Sequence, residues 1–413
     1  MNTRTLPHAQ AQTVGRASTP RLPAAARALL ALLERLQTGH LELHLPDGSV
    51  RRFGQPLPGQ PQAVATLHDW DLPSALLRAG DIGLAESWMQ GHWSSPHPAE
   101  LLRLALANRE AIDQALYGSW WGALLHRVTH WLNRNTRRGS RRNIAAHYDL
   151  GNAFYRLWLD RTMNYSSALF DGDRDEALPL AQQRKVDRAI AATRVRPGER
   201  LLEIGCGWGS VAETAARSGV QVSGVTLSTE QLAWAQQRLA DAGLAERADL
   251  RLQDYRDIDD GPYDAVVSVE MFEAVGREWW PTYFATLQRQ LKPGGRACIQ
   301  VITIRDDLFE RYARTPDFIQ RYIFPGGMLP SDAEFRRHAA EAGLVVRESL
   351  AFGRDYAETL RRWDRAFEAE LPAVRAQGYD ETFIRMWRFY LAYCEAAFDA
   401  GNTDVVQYTL ERP

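Results

Sequence analysis

The distribution of apolar and polar residues divides the chain near residue 140. From residue 143 onward, short apolar runs typical of strands alternate with segments in which apolar residues recur at helical spacing. This alternation predicts an α/β fold with a parallel sheet covered by helices on both faces. The helices include 228–242 and 283–291. The seven predicted strands are residues 201–204, 220–227, 248–252, 263–269, 297–304, 344–350 and 405–410.

Two features interrupt this regular alternation. The last strand follows a long helical segment, 382–400, so it can insert antiparallel to the other strands, and periodicity leaves its direction open. An insertion at 305–330 follows the fifth strand, is rich in aromatic residues and ends in Pro-Gly-Gly. Insertions at the carboxyl ends of strands are where α/β folds build substrate sites.

The first part of the chain has a different pattern. Residues 1–22 are polar and contain proline, which indicates a flexible tail. Helical spacing at 24–36 precedes a predicted hairpin of 41–45 and 50–53 around Pro46-Asp47-Gly48. Residues 66–116 read as short helices broken at Gly80, Gly83 and Gly91. We therefore predict an α+β domain at 23–125, a basic linker at 126–142 and a catalytic domain at 143–413.

The composition is that of a globular chain. The 413 residues include 45% apolar residues, with a net charge of −2, and no apolar run approaches the ~20 residues that span a bilayer. The three cysteines form no CxxC pair, so we expect reduced thiols in a cytoplasmic protein and no cysteine-based metal site. The first residues lack the apolar core of a secretory signal.

The basic residues are unusual in kind and in position. Of the 49 lysines and arginines, 47 are arginine, and the chain has 13 tryptophans. The stretch between residues 114 and 148 contains no acidic residue. Arginine with tryptophan suits an anionic phospholipid surface as well as a nucleic acid. The arginines of this stretch are Arg127, Arg134, Arg137, Arg138, Arg141 and Arg142.

A glycine-rich loop follows the first predicted strand of the sheet. Residues 201–209 read Leu-Leu-Glu-Ile-Gly-Cys-Gly-Trp-Gly, and a helical pattern begins directly after them. Glycines let the backbone approach a ligand closely, and the helix start offers free N–H groups. The spacing is neither the GxxxxGK[ST] of a phosphate loop nor the GxGxxG of a dinucleotide site. Without a ligand, the same residues would form only a tight strand–helix turn.

This loop resembles motif I of the S-adenosylmethionine-dependent methyltransferases. The resemblance implies a Rossmann-like fold whose next strand ends contact the ribose, through Thr226 and Gln231, and the adenine, between Asp254 and Tyr255. The residues expected to bind the cofactor are Tyr165, Ser166, Glu203, Gly205, Cys206, Gly207, Gly209, Thr226, Leu227, Gln231, Asp254, Tyr255 and Arg256.

Further segments, in order along the chain, resemble the cyclopropane-fatty-acid synthases, which include the mycolic acid cyclopropane synthases and related lipid C-methyltransferases. Residues 41–93 also resemble the extra N-terminal domain of the phospholipid-acting bacterial members, which implies a lipid-binding and dimerising role. The segments that carry the resemblance are 147–152 (His-Tyr-Asp-Leu-Gly-Asn), 163–168 (Met-Asn-Tyr-Ser-Ser-Ala), 203–209, 224–228 (Gly-Val-Thr-Leu-Ser), 271–273 (Met-Phe-Glu), 322–327 (Tyr-Ile-Phe-Pro-Gly-Gly) and 352–356 (Phe-Gly-Arg-Asp-Tyr).

The resemblance implies a reaction and its residues. A cis alkene of a phospholipid acyl chain attacks the sulfonium methyl, and a bound bicarbonate deprotonates the resulting carbocation to close a cyclopropane. Glu273 and Tyr356 match the family's bicarbonate site, and Ile302 supplies its backbone group. Gln300 and Ser167 stand where the family has histidine and cysteine. The candidate catalytic residues are Glu273, Tyr356, Gln300, Ser167, Ile302 and Cys394, the last of which also fits a buried structural thiol.

Several outcomes stay open at this stage. The carbocation can instead end as a methyl-branched or methylene chain, and plant alkaloid N-methyltransferases share the catalytic likeness, so a small-molecule substrate is a second interpretation. A non-catalytic protein that binds cofactor or lipid is a third. We expect unsaturated phospholipid at the inner membrane face as the partner, a homodimer through the N-terminal domain, no metal and no nucleic acid.

Overall fold

Seven strands form the larger sheet of the computed structural model, which describes residues 22–116 and 150–413. The predictions for residues 1–21, for the basic linker 126–142 and for 143–149 lie outside the described residues. The strands are β5 (Arg200–Ile204), β6 (Gln221–Thr226), β7 (Ala248–Leu252), β8 (Tyr263–Val269), β9 (Leu291–Ile304), β10 (Val345–Ala351) and β11 (Thr403–Glu411). Their order across the sheet is β10-β11-β9-β8-β5-β6-β7.

The predicted α/β class and its seven strands are confirmed, and the structure gives the direction of the last one. Strands β5 to β9 pair in parallel, whereas β11 runs antiparallel between β9 and β10. The register places Gln407 opposite Gln300 and Val405 opposite Ile302. The carboxyl ends of β5, β6, β7, β8 and β9 therefore meet along one edge of the sheet, where such folds bind ligands.

Helices cover both faces of this sheet. Several begin where the sequence offers a side-chain cap: Ser228, Ser331 and Asp380 accept a backbone N–H from the first turn. The described helices are α1 (Ala24–Leu33), α2 (Asp71–Met89), α3 (Pro98–Ala107), α4 (Arg109–Leu116), α5 (Gly151–Trp158), α6 (Leu178–Thr193), α7 (Ser210–Arg217), α8 (Thr229–Asp241), α9 (Trp280–Gln290), α10 (Asp306–Tyr312), α11 (Asp332–Glu341), α12 (Gly353–Ala369), α13 (Leu371–Ala376) and α14 (Glu381–Asp399).

The N-terminal part carries a smaller sheet of four strands. The predicted hairpin forms as β1 (His40–His44) and β2 (Val50–Gly54), and β3 (Gln62–Leu67) pairs in parallel with β1. The prediction of a helix break at Gly83 is wrong, because α2 continues through it and bends at Gly80. A side chain at Gly83 would lie 2.1 Å from the carbonyl oxygen of Ala75. β4 is Trp93–Ser94.

One hydrophobic core joins the two parts. Its buried residues come from the small sheet, from α2 and α3, and from α12 and α14 of the larger part. The indole N–H of Trp88 donates to the carbonyl of Arg385 at 2.7 Å, and the Tyr393 hydroxyl donates to Asp81 at 2.9 Å. Among the described helices, none combines the length and the apolar character needed to cross a bilayer.

Candidate active site

The glycine-rich loop turns the chain from β5 into α7. Gly205, Gly207 and Gly209 have φ values of +85°, +49° and +82°, the left-handed region that other residues rarely adopt. A Cβ at Gly209 would lie 2.9 Å from the Cβ of Ala235 on α8. A Cβ at Gly207 would meet no atom of the described residues within 4 Å. Gly209 thus permits close packing of α7 on α8, and Gly207 leaves open space beside the loop.

A cavity of about 160 Å³ lies beside this loop, at the carboxyl ends of β5, β6 and β7. Of the thirteen residues predicted to bind the cofactor, all except Gly209 line it. The residues brought together are Tyr165, Ser166, Glu203, Gly205, Cys206, Gly207, Thr226, Leu227, Gln231, Asp254, Tyr255 and Arg256. We call this space the cofactor cavity.

The polar residues predicted for ribose and adenine already contact one another. The Thr226 hydroxyl donates to Oε1 of Gln231 at 3.2 Å. Asp254 accepts from Nε and Nη2 of Arg256 at 2.8 and 2.6 Å, and both side chains are buried. The predicted contact of Asp254 with an adenine stays a prediction, since its carboxylate is fixed here by Arg256.

A buried lysine in the cofactor cavity was not predicted from the sequence. Lys185 on α6 is fully buried, and its Nζ donates to Oγ of Ser166 at 2.6 Å. Burial lowers its pKa to about 8, while the negative charges of Glu270, Asp160 and Glu203 act in the opposite direction. Burial likewise raises the pKa of Glu203 well above its usual range.

A second cavity, of about 180 Å³, lies between the insertion and helices α12 and α14. Its walls are mostly apolar and aromatic, so we call it the apolar cavity. Cys394 lies in the wall, and burial raises the pKa of its thiol, which fits the structural interpretation of this cysteine. The apolar lining includes Ile302, Ile319, Phe324, Met328, Leu329, Leu360, Ala397 and Phe398.

The two cavities share three lining residues: Tyr165, Glu270 and Ala274. The Tyr165 hydroxyl lies 2.7 Å from the hydroxyl of Tyr390 on α14. Glu270 directly follows β8 and is the ionisable residue of the three at neutral pH. A group transferred from one cavity to the other would pass these side chains.

Three donors converge on the carboxylate of Glu270. Oε1 accepts the backbone N–H of Ser167 at 2.9 Å and Nε2 of Gln300 at 2.7 Å, and Oε2 accepts the hydroxyl of Tyr356 at 2.7 Å. Burial raises the pKa of Glu270, while these three donors and the charge of Lys185 counteract that rise. Three of the predicted catalytic residues thus act on a residue that was not predicted.

Glu273 occupies a different position beside it. Its Oε1 accepts the backbone N–H of Ile302 at 2.6 Å, and its Oε2 is buried without a hydrogen-bond partner among the described residues. Burial and the neighbouring charge of Glu270 raise the pKa of Glu273 to about 8. Glu273 accepts one hydrogen bond, whereas Glu270 accepts three, and each of these stabilises the charged form. Of the two carboxyl groups, Glu273 is therefore the one that holds a proton at neutral pH.

The residues present do not fit the predicted bicarbonate. Its expected donors were the backbone N–H groups of Ser167 and Ile302 and the side chains of Gln300 and Tyr356. Three of these four donate to Glu270, and the fourth donates to Glu273. The negative charge of Glu270 would also repel an anion at this place.

The sequence did contain a signal for Glu270. It is an acidic residue directly after an apolar strand, in the position where parallel strands deliver side chains to a site. The Met-Phe-Glu segment drew the prediction to Glu273, three residues later. Lys185 carries no comparable signal, because it lies inside the helical pattern that precedes the first strand of the sheet, and such a pattern does not show that its side chain enters a cavity.

The fold, the glycine loop and the cavity beside it define a Rossmann-like, S-adenosylmethionine-dependent methyltransferase. The structure of the mycolic acid cyclopropane synthase CmaA1 complexed with SAH and CTAB is similar, with a TM-score of 0.62 and 34% identity. The match covers 65% of this chain and 97% of that one. SAH is what remains of S-adenosylmethionine once its methyl group has been transferred.

The sequence model of the mycolic acid cyclopropane synthetase family matches residues 135–408, and the chain belongs to this family. It is 41% identical to the tuberculostearic acid methyltransferase of Mycobacterium tuberculosis, over 96% of this chain and 94% of that protein. It is 34% identical to the cyclopropane-fatty-acyl-phospholipid synthase of Escherichia coli, over 90% of this chain and 96% of that protein.

Proposed function

We propose that the protein transfers the methyl carbon of S-adenosylmethionine to the cis double bond of an unsaturated phospholipid acyl chain. The observation that carries the proposal is that the cofactor cavity and the apolar cavity share Tyr165, Glu270 and Ala274 as lining residues. An acyl chain requires apolar walls, and the relatives' names refer to fatty acyl and mycolic acid substrates.

The proposed step balances without a further reagent. The alkene π electrons form a bond to the methyl carbon, the methyl–sulfur bond breaks, and its electron pair stays on sulfur. The other alkene carbon becomes a carbocation. Apolar walls keep out water that would quench this cation, and the aromatic faces of Tyr165, Phe324 and Tyr390 together with a nearby carboxylate stabilise positive charge.

Loss of a proton then determines the product. If the transferred methyl group loses the proton and its C–H electron pair closes the ring, the product is a cyclopropane. If a hydride shifts first, loss of the same proton gives a methylene chain, and a saturated methyl branch needs a reductant in addition. The relatives' names include both a cyclopropane synthase and a tuberculostearic acid methyltransferase.

The proposal places the protein at the inner face of a membrane as a peripheral, cytoplasmic enzyme. Support comes from the arginine-rich stretch 126–142, whose charge suits anionic headgroups. The predicted homodimer through the N-terminal domain stays a prediction.

The test is an assay with S-adenosylmethionine carrying a deuterated methyl group and unsaturated phosphatidylglycerol vesicles. Mass spectrometry of the released acyl chains and proton NMR distinguish ring, methylene and methyl-branched products. We expect deuterium in the acyl chains at the former double bond. Label that appears only in added amines or other small molecules would favour the small-molecule alternative. No label with intact binding of S-adenosylhomocysteine would favour a non-catalytic role.

A further inference from the structure

We propose that the carboxylate of Glu270 is the proton acceptor of this reaction, built into the chain in place of a bound bicarbonate. The inference rests on the proposed function, since it assigns the base for the carbocation formed there. It follows from hydrogen bonding, from backbone conformation and from the position of Glu270 between the two cavities.

A chain of side chains shows that one oxygen of Glu270 carries no proton. The Arg188 guanidinium can only donate, so the Gln407 atom 2.6 Å from it is the oxygen, and the Gln407 nitrogen therefore faces Gln300 at 2.9 Å. Gln300 must then accept with its oxygen and donate with its nitrogen to Oε1 of Glu270. The backbone N–H of Ser167 donates to the same atom. Oε1 is thus an acceptor twice over, so it carries no proton.

The other oxygen is the one available for chemistry. Oε2 accepts a single hydrogen bond, from the hydroxyl of Tyr356, and a carboxylate oxygen has capacity for a second. Tyr356 lies in the wall of the apolar cavity, and Glu270 lines both cavities. Oε2 therefore lies at the boundary between the methyl donor's cavity and the cavity proposed for the acyl chain.

The backbone supports a functional reason for this residue. Glu270 has a φ of +48°, and non-glycine residues in this region commonly mark functional sites, where such strain is retained. Its N–H donates to the carbonyl of Gln300 at 2.8 Å, which fixes the turn at the end of β8. A glycine would adopt this conformation without strain, so the carboxylate is kept at a cost in stability.

The proton transfer to Glu270 needs no further reagent. After the new carbon–carbon bond has formed, Oε2 takes one proton from the acyl carbocation, and the C–H electron pair neutralises the positive carbon. Glu270 becomes a neutral carboxylic acid and returns its proton to solvent before the next turnover. Before that step, its negative charge stabilises the developing cation, as a bound anion would.

The experiment compares the wild-type protein with Glu270→Gln and Glu270→Gly in the deuterium assay, in buffer purged of carbon dioxide and again with added sodium bicarbonate. We expect the wild-type rate to be the same in both buffers. Glu270→Gln keeps the shape and removes the base, so we expect a loss of about 100-fold or more in both buffers. Glu270→Gly removes strain and frees the donors of Ser167, Gln300 and Tyr356, so we expect added bicarbonate to restore part of its activity.

Binding of S-adenosylhomocysteine, measured by calorimetry for every variant, separates loss of the base from loss of the fold. The control variant is Glu341→Gln, an exposed position on α11. A wild-type enzyme that labels acyl chains only when bicarbonate is added would overturn the inference and leave the proposed function standing. So would a Glu270→Gln variant with near wild-type rate. A wild-type enzyme that labels no acyl chain in either buffer would overturn the proposed function itself.

Discussion

Nζ of Lys185 lies 2.6 Å from Oγ of Ser166, inside a cavity whose wall also contains Glu203 and Glu270. This lysine is a buried positive charge that acts on both of these carboxylates. Replacing Lys185 with methionine removes that charge and its hydrogen bond, so we expect the free energy of unfolding at pH 7 to fall by about 2 kcal/mol.

The chain offers a matched control, since Lys292 is the other of its two lysines. Lys292 is half-exposed and pairs with Asp264, so Lys292→Met should cost less than about 1 kcal/mol. Urea unfolding followed by circular dichroism measures both. Equal losses in the two variants would contradict the role of Lys185.

Gly207 tests whether the glycine loop holds a ligand. A Cβ there would project into open space beside the loop, at a φ of +49°. We expect Gly207→Ala to weaken binding of S-adenosylhomocysteine and to lower stability by about 1 kcal/mol through backbone strain.

The control is Gly243→Ala, because Gly243 has a φ of +70°, also without a described neighbour within 4 Å, and does not line the cofactor cavity. It should show the strain alone, with unchanged affinity in calorimetry. If Gly207→Ala binds S-adenosylhomocysteine with unchanged affinity, the loop is only a tight turn between strand and helix and does not contact the ligand.

Ala397 tests the apolar cavity. It lines that cavity on α14 and does not line the cofactor cavity. We expect Ala397→Phe to fill part of the roughly 180 Å³ and to lower turnover of phospholipid vesicles, with little change in the affinity for S-adenosylhomocysteine. The exposed Ala340→Phe on α11 is the control. Turnover equal to that of the wild type would argue against an acyl chain in this space.

The pKa of Glu273 predicts a pH dependence of stability. A rise from 4.5 to about 8 means that the folded state holds more protons than the unfolded state between these values. Its contribution to stability is therefore complete below pH 4.5 and is lost as the pH rises toward 8. Glu273→Gln removes this titration. Between pH 5 and 7.5, we expect the stability of the wild type to fall relative to this variant, by at most about 1.4 kcal/mol per pH unit.

Urea unfolding at half-unit pH steps measures this difference, because titrating groups common to both proteins cancel. Glu246→Gln, at an exposed position after α8, is the control for a surface change of the same kind. A constant difference between wild type and Glu273→Gln over the whole range would mean that Glu273 is ionised throughout.

The arginines between residues 126 and 142 predict electrostatic membrane binding. We expect replacement of all six by serine to weaken sedimentation with phosphatidylglycerol vesicles, by up to about 1 kcal/mol for each arginine at the surface. The difference in vesicle binding between the two proteins should shrink in 0.5 M salt, because the Debye length is then below about 5 Å. Vesicles of neutral phosphatidylcholine are the control. Equal binding of both proteins at low salt would contradict the interfacial role.

The sequence predicted those parts of the molecule that local pattern determines. The spacing of apolar residues predicted the strands and helices of the large sheet. The three alternate glycines predicted the turn at Gly205, because a close approach of the backbone requires glycine and is therefore visible in the sequence. The prediction at Gly83 is wrong for a related reason. Glycine is needed there for a close contact with Ala75 within a bent helix, but in a sequence this glycine cannot be distinguished from one that ends a helix.

The site was predicted in its parts but not in its centre. Ser167, Gln300 and Tyr356 come from three distant segments, and what they converge on depends on tertiary packing. A positive φ at a glutamate cannot be read from sequence, so the sequence pattern indicates Glu273 and not Glu270. The buried position of Lys185 likewise follows from how α6 packs against the sheet.

Helix α14 contacts both the N-terminal region and the apolar cavity, which matters for protein engineering. One side of it packs on α2 and α3, with the Trp88 indole on the Arg385 carbonyl, and another contributes Tyr390 and Cys394 to the apolar cavity. A chimaera that exchanges only the N-terminal region with a relative would therefore change the packing behind the wall of the apolar cavity. A chimaera should therefore take α14 from the same protein as the N-terminal region, so that their contacts are kept.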